Sequence, residues 1–183
     1  MSAYRAAWLL VGVHAGALHA GDASANTRED ELKLAFTYNI ARFVTWPEHT
    51  AKEQSAAFHL CVLGDTPYRI ASANLGKRRV ADLPIEVIDL RVELPDGVHC
   101  DLAYLSANAI DTSRVAETLL ADSVLTVSDA PGFANTGGII ELTRRNDRIV
   151  MRINVANVRR AGLSISSQLL SLATLVDEEA GAD

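Results

Sequence analysis

Lysine is nearly missing from this sequence. Lys33, Lys52 and Lys77 are its whole complement, and acidic residues outnumber basic ones 23 to 17. A net charge of −6 without a lysine-rich stretch leaves no electrostatic footprint for nucleic acid. Arg144, Arg145 and Arg148 cluster where a hairpin tip is expected, and such clusters are more often solvated tips than phosphate cradles. The shortage of lysine also removes a phosphoacceptor reading of Asp89 and Asp129, because that chemistry needs a lysine at the end of a late strand. There is no G-x-S-x-G elbow; the nearest string, AGLSISS, lacks the second glycine. DAPGFANTGG (129–138) is glycine-dense, but neither G-K-[ST] nor a helix that would bind an anion follows it. It reads as a long turn into the next strand, with a ligand-cradling loop as the alternative. His49, His59 and His99 have no Ser–Asp partner set nearby. Neither catalysis, nor a metal, nor a cofactor is expected.

Long apolar runs are scarce too, with one exception. Arg5 is followed by AAWLLVGVHAGALHA, a run of signal-peptide length that falls short of the ~20 residues needed to span a bilayer. ASA at 23–25 fits the small-x-small cleavage rule, with cleavage after Ala20 as the second choice. No cysteine near that point supports a lipid anchor. We expect residues 1–25 to be a cleaved export leader and 26–183 to form a single domain, which is enough chain for one sizeable core.

Export changes the reading of the two cysteines. In an oxidising compartment Cys61 and Cys100 tend to pair, closing a loop of about 40 residues worth about 4 kcal/mol in the chain-entropy model. Zinc is the rival, since His59 shares a strand face with Cys61 and His99 adjoins Cys100. Successive residues of a strand point to opposite faces, however, and C-x2-C or H-x3-H spacing is absent. The bridge is the favoured reading, with zinc and unpaired structural thiols as alternatives.

The remaining patterns are those of an α/β protein. TREDELKLAFTYNIARFVTWP (27–47) predicts a helix stopped by Pro47, with Leu32, Phe36, Asn39/Ile40 and Phe43 as its stripe and Trp46 folded back on the core. AAFHLCVLG (56–64) is a continuous apolar run, as in a strand buried on both faces. TPYRIASANL (66–75) reads as a short helix, LPIEVIDL (83–90) and CDLAYLS (100–106) as strands, DTSRVAETLLAD (111–122) as a helix capped by Asp111 or Thr112, and SVLTVSD (123–129) as a further strand. Alternation of this kind implies parallel pairing and a three-layer α/β sandwich with a mostly parallel central sheet. After residue 136 two alternating segments around RRND predict an antiparallel hairpin, VANVRRAG a helical turn, and SISSQLLSLATLV (164–176) a last helix capped by Ser164.

Taken together, YNIARFVTWP, FHLCVLG, CDLAYLS, VLTVSDAPGFANTGGII and RIVMRINVANVRRAGLSISSQLLSLA occur in an order that resembles the YfiR-like family of secreted bacterial proteins, over about residues 30–175. The resemblance implies a periplasmic regulator, not an enzyme. It would repress an inner-membrane diguanylate cyclase by binding the cyclase's periplasmic sensory domain, and an outer-membrane lipoprotein would sequester it. The resemblance further implies a homodimer and a cystine at Cys61 and Cys100. The family's namesake has a second cysteine pair, which this chain lacks, so properties tied to that second bridge do not carry over.

The partner contacts we expect are side chains the core does not need: an exposed Phe133 and Asn135 in the glycine loop, Arg152 on the hairpin, and Arg159 and Arg160 beyond it. The alternative function is a small-ligand sensor or carrier, with Arg42, Asn135, Arg152 and Asn154 lining a cleft.

Overall fold

The computed structural model describes residues 21–47, 56–64, 74–90, 95, 97–109, 111–146 and 148–176. The chain runs from helix α1 (Gly21–Ala41) into β1 (Val44–Thr45), β2 (Phe58–Leu63), β3 (Arg79–Val80), β4 (Leu83–Leu90) and β5 (Leu102–Leu105). Helix α2 (Thr112–Ala121) and β6 (Leu125–Ser128) lead through a 3-10 turn at Phe133–Asn135 into β7 (Ile140–Arg145) and β8 (Arg148–Asn154). Helix α3 (Val155–Arg160), β9 (Ser164–Ile165), α4 (Ser167–Leu170) and β10 (Thr174–Val176) close the order. Residues 1–20 of the expected leader and most of the short helix expected at 66–75 lie outside the described residues. The backbone of 21–25 is helical and continuous with α1.

Eight strands form one sheet in the order β10-β8-β7-β6-β5-β2-β4-β3, and β1 pairs with β9 in a separate antiparallel ribbon. Within the large sheet only β3–β4 and β7–β8 are antiparallel. The expected hairpin is therefore part of the sheet, because β7 pairs in parallel with β6.

Alternation along the central strands produces the layers. Phe58, Leu60 and Val62 of β2 and Leu102 and Tyr104 of β5 pack into one core with Leu34, Ile40 and Ala41 of α1. Cys61 and Leu63, with Ala103 and Leu105, pack into a second core with Ala116 and Leu119 of α2. A strand with a core on each face must be apolar throughout, which is why these segments read as unbroken hydrophobic runs. Trp46 caps the first core: its ring meets Phe58 edge-on at 5.2 Å and its indole N–H donates to the carbonyl of Asp101 at 3.0 Å.

Two expectations fail. Of the stripe predicted for 27–47 only Ile40 is buried: Leu32 is 48% exposed, Phe36 39% and Phe43, in the turn after α1, 36%. The buried side is Lys33, Leu34, Thr37, Ile40 and Ala41. Both sets recur at helical intervals, and the inner one is chosen because Lys33 finds Asp129 across the fold at 2.7 Å. The helix also ends at Ala41, well before Pro47. The last helix is only one turn, capped by Ser166 and not Ser164. Ser164 and Ile165 pair with β1 instead, and Thr174–Val176 extend the sheet beside β8. Tertiary pairing overrides helical spacing here.

The glycine loop turns on Phe133, which is 1% exposed and packs against Gly138 so closely that a Cβ at 138 would overlap the ring. Replacing Gly138 with alanine is expected to lower stability by about 1–3 kcal/mol through overpacking, visible as a lower urea midpoint at an unchanged slope.

Candidate functional site

Three sets of polar or reactive side chains stand out, and each is built by pairing between distant segments. The first lies at the amino-terminal ends of β2 and β5. These strands pair in parallel with Leu60 opposite Leu102, which sets His59 beside Asp101. The amide of Asp101 donates to the carbonyl of His59 at 3.0 Å, and the amide of His59 donates to Oδ2 of Asp101 at 2.8 Å. Cys61, two residues along β2, is joined by a disulfide to Cys100, with Cα atoms 5.8 Å apart. That spacing lies inside the range that bridges without distorting the backbone. Both half-cystines are buried. The bridge holds His99, next in the chain, over the same spot: its ring meets that of His59 edge-on at 5.9 Å. His99 Nε2 lies 3.6 Å from Asp101 Oδ1, and His59 Nδ1 lies 3.7 Å from Asp101 Oδ2.

The second set sits at the opposite, carboxyl end of the sheet. Asp129, just after β6, accepts from the amide of Ala107 at 2.7 Å and from Nζ of Lys33 at 2.7 Å. Lys33 also meets Glu29 one turn back at 2.9 Å, and Glu29 meets Arg144 at the hairpin tip at 2.9 Å. The hydrogen bond from Lys33 is the main cause holding the Glu29 carboxyl below its ordinary value. Burial pulls the Lys33 ammonium down, but its bonds to Asp129 and Glu29 leave it above its ordinary 10.5. Tyr104 points into this group. Burial first, then the charge of Asp129, pushes its phenol far above the ordinary 10.0. Asp129 is thus the anchor of an ion pair, and not the simple turn former that an isolated strand-end carboxylate usually is.

The third set pins the glycine loop to the hairpin. Arg152 donates to Glu141 at 3.1 Å and to Oδ1 of Asn135 at 2.9 Å, while buried Glu141 also accepts from the amide of Ala134 at 3.2 Å. Asn154 donates to the carbonyl of Ala134, and Asn157 to that of Gly138. These bonds satisfy a buried loop backbone and support the long-turn reading of residues 129–138 over a ligand cradle.

The structure sorts the expected contact residues. Phe133 is corrected: it is an interior anchor of the loop, not an exposed side chain, because the turn's own carbonyl and amide groups are bonded around it and its ring fills the second core. Asn135 and Arg152 are brought together on the surface side of the loop. Arg159 is exposed, and Arg160 donates to Oδ1 of Asn157 at 3.1 Å. The cleft imagined from Arg42, Asn135, Arg152 and Asn154 does not form, since Asn154 is fully buried and bonded. Sequence reasoning missed Asp101, whose placement beside His59 depends on strand order, and it missed the outward face of α1.

The YfiR/HmsC-like family model matches residues 30–174. No curated protein matches the chain. The match covers most of the chain, and the protein belongs to this family, which is one of periplasmic regulatory proteins of the diguanylate cyclase system. No helix among the described residues is long and apolar enough to cross a membrane.

Two outcomes follow from these sites. Replacing both Cys61 and Cys100 with alanine frees a loop with a sequence separation of 39 and is expected to cost about 2–5 kcal/mol, read as the shift in urea midpoint of the oxidised wild type against the double variant. At high pH the unfolded chain ionises Tyr104 and loses the Lys33 charge sooner than the folded one does. Stability is therefore full below pH 10.0 and falls as pH rises beyond it, by up to about 1.4 kcal/mol per pH unit for the phenol. Tyr104→Phe is expected to make that alkaline decline shallower in urea melts between about pH 8 and 11.

Proposed function

We propose that this member of the YfiR/HmsC-like family is exported by the leader 1–25, forms its cystine in the periplasm, and represses an inner-membrane diguanylate cyclase by binding that enzyme's periplasmic sensory domain. The observation that carries the proposal is the outward apolar face of α1. Leu32 and Phe36 lie on the exposed side of the helix, and Phe43, in the turn just after it, is exposed too, all inside the span that the family model matches. Large apolar side chains grouped on one face of a small domain mark a protein contact more often than chance exposure. Arg42 follows on the same segment, and Asn135, Arg152, Arg159 and Arg160 offer polar surface elsewhere for the rim of a contact.

Repression needs no catalytic group. A protein that binds the inactive conformation of a sensory domain more tightly than the active one shifts the population toward it. An outer-membrane lipoprotein that competes for the repressor would release the cyclase. We place the protein as a homodimer. Leu172, 74% exposed and just before β10, and Leu175, 51% exposed within it, lie at the edge strand of the sheet among the described residues and supply apolar surface for a second copy.

A second reading, a small-ligand sensor, draws on one feature. A cleft of about 410 Å³ beside α1 is lined by Arg28, Leu32, Tyr38, Leu75 and Arg78, a size that holds a small molecule.

Cross-linking in the native envelope followed by capture of the protein tests the first reading. A membrane diguanylate cyclase is expected among the captured proteins with the wild type and is expected to be lost with Phe36→Asp, whose exposed position leaves the urea midpoint within about 0.5 kcal/mol of wild type. Capture that is unchanged by Phe36→Asp, or that contains no cyclase, contradicts it.

A further inference from the structure

We propose that His59, His99 and Asp101 form a binding site for one divalent transition-metal ion of the zinc class. This goes beyond the regulatory reading and does not rest on it.

Each of the three residues offers one ligand atom, and these atoms lie within 4.8 Å of one another. Each imidazole faces its own oxygen of the Asp101 carboxylate, His99 Nε2 at 3.6 Å from Oδ1 and His59 Nδ1 at 3.7 Å from Oδ2, and an ion with bonds of ~2.0–2.2 Å would draw these groups together toward ligand–ligand separations of about 3.4 Å. Two imidazole nitrogens and one carboxylate suit zinc and its neighbours rather than calcium or magnesium, which take oxygen ligands.

Two of the ligand atoms are otherwise unexplained. His59 Nδ1 and His99 Nε2 are buried and make no hydrogen bond among the described residues. A buried polar atom without a partner is destabilising, and two of them aimed at one carboxylate are a cost that a bound cation removes. The carboxylate has the complementary problem. Asp101 is 2% exposed, and its only ion-pair partners among the described residues are these two histidines, with no lysine or arginine. A divalent ion supplies the missing positive charge.

The surroundings are those of a held site. Asp101 is fixed through its backbone: its carbonyl accepts from the Trp46 indole and the amide of Leu125, and its amide donates to His59. Glu86 on β4, opposite His59 across the sheet, places Oε2 3.8 Å from His59 Nε2, the ring nitrogen on the far side from Asp101. A shift of about 1 Å in that exposed side chain makes it the acceptor that fixes a metal-binding imidazole with its other nitrogen free for the ion. His99 also borders a cleft of about 560 Å³ with Pro47, Val98 and Gly162, and its side chain is about one third exposed.

The cysteines take no part. They are instead joined to each other, and their bond carries His99 to His59.

Cobalt(II) and zinc titrations of the untagged, oxidised full chain, stripped with a chelator beforehand, test the site. One equivalent of cobalt is expected to bind with visible ligand-field absorption, to be displaced by one equivalent of zinc, and to raise the melting temperature. His99→Ala, on a side chain about one third exposed, and His59→Ala are each expected to weaken binding at least tenfold, and Glu86→Gln by about tenfold. The unchanged circular dichroism of His99→Ala separates ligand loss from unfolding. Absence of stoichiometric cobalt and zinc binding by the wild type overturns the proposal, as does binding that His99→Ala and Asp101→Asn both leave unaltered.

Discussion

The bond between Cys61 and Cys100 ties the centre of the sheet to the start of the next strand, and much of the molecule is arranged around it. β2 is the innermost of the early strands, with β4 on one side and β5 on the other. A covalent tie at its middle holds the register that puts a core on each face. The half-cystines sit in the second core with Leu119 and Val124, so the tie also fixes the layer that α2 covers. Because β2 and β5 are parallel and far apart in sequence, their pairing closes a long loop before it gains any contact, and the bridge removes part of that entropy from the unfolded chain.

From that tie the two ends of the sheet differentiate. At the amino-terminal ends of the strands it gathers two histidines around a buried aspartate. At the carboxyl ends, Lys33, Asp129, Glu29 and Tyr104 form a charged and hydrogen-bonded group that seats α1. With α1 seated through its lysine, Leu32 and Phe36 face outward. The interior thus settles which face of the helix is left exposed. The glycine loop, which the sequence places among the candidates for contact, is largely spent on internal bonding through Glu141, Asn154 and Asn157.

What was legible in the sequence was whatever local pattern determines. The continuous apolar runs at 58–63 and 102–105 announced strands buried on both sides, the alternation at 140–154 announced a hairpin, and Asp111 announced the start of α2. The pairing of two cysteines followed from an oxidising compartment. The misreadings all depend on a distant partner. Phe133 looked like an exposed loop residue until Gly138 left room for its ring. The final segment kept helical spacing, but β1 and β8 offered strand pairing on either side of a single helical turn. Asp101 carried no signal at all, since only the register of β2 against β5 sets it beside His59.

The regulatory proposal for this chain is that its surface, and no reactive group, represses a membrane diguanylate cyclase from the periplasm. The most direct test is the level of cyclic di-GMP in the native cell with the gene deleted and then restored. The account predicts a rise on deletion and a return to the starting level when the wild-type chain is supplied to the periplasm. A level that does not change in either step would contradict it.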